Sequence, residues 1–133
     1  MTSYTMRVES PLAFDDAVVR VREALAEQGF GVLTEIDVRA TMREKLGVDV
    51  PAQVILGACR PQLAYDALQL DPSIATVLPC NVVVRAIDDT ATLVEAFDPR
   101  AMMGLSGDGG LDSVAADARR RITAMLAALT EEN

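Results

Sequence analysis

Apolar positions recur along this chain in two periods, and the switching between them lays out the elements. Tyr4 to Glu9 (YTMRVE) alternates polar and apolar and predicts a strand that Ser10-Pro11 ends. From Phe14 the period changes. Phe14, Ala17, Val18, Val21 and Leu25 fall at helical spacing, Asp15 and Asp16 sit in the first turn, and Gly29 follows as the stop. Phe30 to Ile36 predicts a second strand, with Val32, Thr34 and Ile36 on one face and Leu33 and Glu35 on the other. Asp37 is a good N-cap for a helix over Val38 to Leu46, whose apolar residues Val38, Met42 and Leu46 repeat every four; Gly47 and Pro51 close it.

Ala52 to Cys59 is apolar on both sides, which predicts a central strand covered on both faces. Pro61 fits the first turn of a third helix carrying Leu63, Ala64, Ala67 and Leu68. Asp71-Pro72 breaks it, and Ile74 to Leu78 reads as one further turn. Cys80 to Ile87 and Thr92 to Phe97, joined at Asp88-Asp89, predict a hairpin. The segment DPRAMMGLSGDGG is a connector to a last helix from Leu111 to Leu129, striped by Leu111, Val114, Ala118, Ile122, Met125 and Leu129.

The order β-α-β-α-β-α-β-β-α, over residues 1–133 as a single domain, places it in the α+β class. The simplest arrangement is one five-stranded sheet. The two long helices lie side by side on one face, and the two short helices lie at the edges or on the other face. The hydrophobic fraction of 50% includes three Phe, two Tyr and no Trp, so the core is aliphatic.

Charge narrows the partners. The net charge is −8, with 12 Lys and Arg against 20 Asp and Glu, and the basic residues are scattered, which argues against nucleic acid. The run Arg119, Arg120, Arg121 points three ways on a helix and makes no patch. No stretch is long and apolar enough for a bilayer, and no basic-then-apolar leader opens the chain, so the expected location is cytoplasmic, with Cys59 and Cys80 as thiols.

Three segments carry a resemblance. GFGVLTEIDVRATMREKLG, ILGACRP and LPCNVVVR resemble, in wording and order, the blocks of the family called domain of unknown function 302, and the match spans nearly the whole chain. The resemblance implies a TATA-binding-protein-like fold, a curved antiparallel sheet with two helices on one face, and a homodimer. It assigns no activity, and a fold name does not imply DNA binding. One departure stands out. The family usually has Asn after the Cys of the ILGAC segment, where this chain has Arg60.

Candidate chemistry is sparse. If the ILGAC and PCNVV strands run antiparallel side by side, Cys59 and Cys80 meet at one rim, as buried filler, as a redox thiol pair or as half of a thiolate metal site. No histidine exists, so no Ser-His-Asp or Cys-His machinery can form, and no CxxC completes a zinc site. Glu35, Asp37, Thr41 and Lys45 can serve acid–base or cation chemistry, or simply cap and solvate a helix. Asn81 can recognise a ligand or tie down a loop. GLSGDGG matches no phosphate-cradling pattern, and Met102 and Met103 can cover a pocket or pack on a partner. No cofactor is implied. The reading reached is a cytoplasmic homodimeric binding module, taking a small molecule or partner segment in a cleft lined by Glu35, Asp37, Cys59, Arg60, Cys80 and Asn81. A thiol-dependent enzyme using Cys59 or Cys80 and a purely structural interaction domain are the alternatives.

Overall fold

The computed structural model describes residues 4–102 and 109–130. Five strands form one antiparallel sheet: β1 (Thr5–Ser10), β2 (Gly31–Asp37), β3 (Gln53–Cys59), β4 (Cys80–Ala86) and β5 (Thr92–Phe97). Their spatial order is β1-β5-β4-β3-β2, so β1 and β2 are edges and the sheet is not closed into a barrel. The helices are α1 (Phe14–Glu27), α2 (Val38–Leu46), α3 (Pro61–Leu70) and α4 (Leu111–Ala128), with short 3-10 turns at Pro72–Val77 and Pro99–Met102. Met103 and most of the GLSGDGG segment lie outside the described residues.

α1 and α4 pack side by side on one face of the sheet, as their stripes predict. The core joins Val21 and Leu25 of α1 and Ile122 and Met125 of α4 to Leu56, Val82, Val84 and Val94 of the three central strands, all fully buried. Ala24, Ala115 and Leu126 are also buried, broadening both stripes. α3 joins the same layer against α4, while α2 packs on β2 and β3 and buries no residue.

Two expectations change. The alternation in β2 is interrupted between Val32 and Thr34. Val32 pairs with buried Ala58, whereas Glu35 and Asp37 pair with buried Leu56 and Val54. A bulge resets the side-chain phase. Val32 therefore does not share a face with Thr34 and Ile36. The second change concerns β3. Val54, Leu56 and Ala58 are buried, but Gln53, Ile55 and Cys59 on the alternate positions are only half-buried, so helices cover one face and not both. The apolar run reflects a central position in the sheet rather than two covering layers.

Candidate functional site

The site forms where β3 hands over to α3. β3 ends at Cys59, Arg60 is the N-cap residue, and Pro61 begins the helix; its fixed φ and missing N–H suit a first helical position. β4 runs antiparallel beside β3, with Ala58 opposite Cys80 and Gly57 opposite Asn81. The strand ends ILGAC and PCNVV therefore meet at one rim, and the two cysteines arrive there from segments twenty residues apart in the sequence.

A cavity of about 60 Å³ opens at this rim. Cys59, Arg60 and Cys80 form its sheet side, Leu63, Ala64 and Ala67 of α3 one wall, and Val114, Ala115 and Ala118 of α4 another. Met102, the residue read as a pocket cover, lies in the wall. Ile74 and Leu111 close it from the second, smaller apolar cluster. Among the described residues no carboxylate lines it.

Both cysteines are free thiols. Burial raises the Cys59 pKa, and burial together with the negative charge that Cys59 takes on when ionised raises that of Cys80. Both stay protonated at neutral pH. Among the described residues of the wall, Arg60 alone is formally charged. Its Nε is buried and has no hydrogen-bond partner among the described residues.

The other predicted site residues lie elsewhere, so the expected six-residue cleft is three separate places. Asn81 is exposed and borders a groove on the uncovered face of the sheet with Tyr4, Arg7, Arg85 and Glu95; Cys80 touches both that groove and the cavity. Glu35 and Asp37 stand toward the opposite end of β2, by Phe14 and Arg39. Arg22 Nη2 donates to Glu35 Oε1 at 2.6 Å. Asp37 caps α2, its Oδ1 accepting from Ala40 N–H at 2.9 Å, and the Thr41 hydroxyl donates to the Asp37 carbonyl. Lys45 is exposed. Of the three-arginine run, expected to point three ways, Arg119 reaches Asp98, while Arg120 and Arg121 converge on Asp117. Among the described residues no group of three or more His, Cys, Asp or Glu stands where it can hold a metal. No helix among them is long and apolar enough to cross a membrane.

Sequence reasoning found the strand-end residues of the cavity but not its helical walls. Leu63, Ala64 and Ala67 read as a plain apolar helix side, and only their position after Pro61 hinted that they face the cysteines.

Comparison with known proteins agrees with this architecture. A family model described as Domain of unknown function DUF302 matches residues 6–129. A crystal structure of an uncharacterized conserved DUF302 protein from Bacillus stearothermophilus superimposes with a TM-score of 0.86 at 29% sequence identity, covering 96% of this chain and 99% of that one. No curated protein matches the chain.

Proposed function

Since the chain belongs to the DUF302 family, whose fold brings no activity with it, we propose from its own site that it is a cytoplasmic homodimeric module binding a small ligand in the rim cavity. One observation carries this reading. Two strand ends distant in sequence bring Cys59, Arg60 and Cys80 to the lining of a single apolar hollow walled by α3 and α4. A hollow lined mainly by apolar side chains with a few convergent polar groups is the usual form of a small-molecule site.

The raised thiol pKa values count against the thiol-enzyme alternative, because the thiolate is the nucleophile. Support for a second subunit comes from the uncovered sheet face, where Ile36 is 48% exposed. Free thiols suit a reducing compartment.

A metabolite and metal screen by thermal shift tests the binding role, with Ala118→Leu as the filled-cavity control. A ligand that stabilises the natural chain and not the Ala118→Leu chain supports the reading. A ligand equally effective on both places binding elsewhere. Light scattering after size-exclusion chromatography tests the dimer, and a clean monomer at micromolar concentration removes it.

A further inference from the structure

Resting on the dimer part of the reading above, we propose that the second subunit joins along β1. The two β1 strands pair antiparallel about a two-fold axis at Val8, so that Arg7 of each copy faces Glu9 of the other. β1 is an edge of the sheet, and β5 is the strand it pairs with. One bond fixes which backbone groups point outward. Asp98 N–H donates to the Tyr4 carbonyl at 2.8 Å, and Tyr4 stands opposite Asp98, one place beyond the Thr5–Phe97 pair. Bonded and non-bonded pairs alternate along an antiparallel ladder. Met6, Val8 and Ser10 therefore turn their main-chain groups to β5, while Arg7 and Glu9 turn theirs to the open margin.

The side chains select the register. A two-fold axis normal to the sheet keeps the faces of both copies aligned, so residues on the same face must oppose one another. Centred on Val8, the pairing sets Arg7 against Glu9 on both sides of the axis. Each such pair exchanges its outward main-chain bonds and matches opposite charges. Centred on Arg7 or on Glu9, it would put like charges face to face, which is destabilising. Centred on Met6, it faces Arg7 with Thr5 and loses the charge match. On the helix side of the sheet, Val8 packs only in part against the core, and at this register it meets its own copy.

Both charges are uncommitted within the subunit. Arg7 and Glu9 are exposed, and neither has an ion pair among the described residues. Glu95 stands opposite Arg7 on β5, but the Thr5 hydroxyl donates to it at 2.7 Å and Arg85 pairs with it at 3.7 Å. The other edge has no such self-match. β2 carries Glu35 and Asp37 and no Lys or Arg, so two copies would bring carboxylates together. On a chain of net charge −8, the β1 sequence TMRVES is neutral, and its Arg-x-Glu pattern complements itself when reversed. That self-complementarity points to a second copy as the occupant of this edge.

The test is charge reversal on the full chain, read by light scattering after size-exclusion chromatography at low ionic strength, where exposed ion pairs are least screened. Glu9→Arg and Arg7→Glu each set like charges opposite, and each should weaken the dimer roughly tenfold or more. Mixing the two variants should give a heterodimer, because the arginines of one chain then face the glutamates of the other. The double variant Arg7→Glu/Glu9→Arg should dimerise like the natural chain. Single variants as dimeric as the natural chain, or a mixture that stays monomeric, overturn the β1 assignment and leave the dimer standing. A natural chain that is monomeric at micromolar concentration overturns both. Hydrogen exchange on the natural chain needs no variant. The Arg7 and Glu9 amides should be protected in concentrated samples and exchange fast on dilution, while the Met6 and Val8 amides, bonded to β5, hold steady. Arg7 and Glu9 amides that exchange fast in a dimeric sample overturn the assignment as well.

Discussion

Cys80 faces Ala58 across the β3–β4 ladder and so stands one position from Cys59 on the adjacent strand. The two thiols share a wall, and ionising one opposes ionising the other. Alkylation rates against pH should show two slow thiols at neutrality. Cys59→Ser should bring the apparent pKa of Cys80 down, leaving only the burial effect. Rapid labelling of either thiol at pH 7 would contradict this. The stability term has a definite sign. A folded-state pKa above the ordinary 9.0 means the contribution is intact below that value and lost as pH rises through the folded one.

Asp98 predicts the opposite limb. Burial pushes its carboxyl up. The Arg100 N–H at 2.9 Å, the Arg100 side chain and the Arg119 charge outweigh that and hold it below the ordinary 3.8. Its contribution is therefore present above that pH and lost as pH falls through the lower folded value. Asp98→Asn should cost about 1–3 kcal/mol at pH 7 in urea unfolding. The gap to the natural chain should close in strong acid; a gap independent of pH would show that shape alone matters.

Gly57 is required by its neighbours. A Cβ there would lie 2.1 Å from Thr34 Oγ1 and 2.8 Å from Pro79 Cγ. Gly57→Ala should destabilise by roughly 1–3 kcal/mol as overpacking does. Adding Thr34→Ala should recover part of the loss and not all of it, since Pro79 stays in place. A double-mutant cycle in denaturant measures the coupling, and strict additivity would place the cost elsewhere.

Asp37 and Glu35 should behave as structural residues. Asp37→Ala should cost about 1 kcal/mol through the lost cap, and Asp37→Ser much less. Glu35 pairs with Arg22 at 50% and 41% side-chain exposure, so Glu35→Gln should change stability by less than about 1 kcal/mol. Neither should alter binding of any cavity ligand. A loss of such binding in either variant would reunite them with the rim site.

The elements were legible because local chemistry punctuates them sharply. Asp37, Gly47 and Pro61 each sit where the chain turns from one period to another, and β5 and α2 have the bounds their patterns predict. The thiol rim was legible too, since antiparallel pairing of two adjacent strands forces their opposite ends together. The bulge was not. VLTEI alternates acceptably in either phase, and only pairing against β3 reveals where the extra residue goes. The separation of Glu35 and Asp37 from the cysteines is one of distance along the strand: Gly31 pairs with Cys59, while Asp37 pairs with Val54. The helical walls were hidden for another reason: Ala64 and Ala118 are indistinguishable in sequence from ordinary helix filler.

The bulge in β2 has a further effect on how copies of this chain can meet. It falls on an edge strand, where unpaired N–H and C=O groups would otherwise invite another molecule to add a strand. An offset of one residue breaks the even row of those groups and twists the margin away. Strand addition is therefore disfavoured along β2, and the edge whose pairing runs without a register shift is β1.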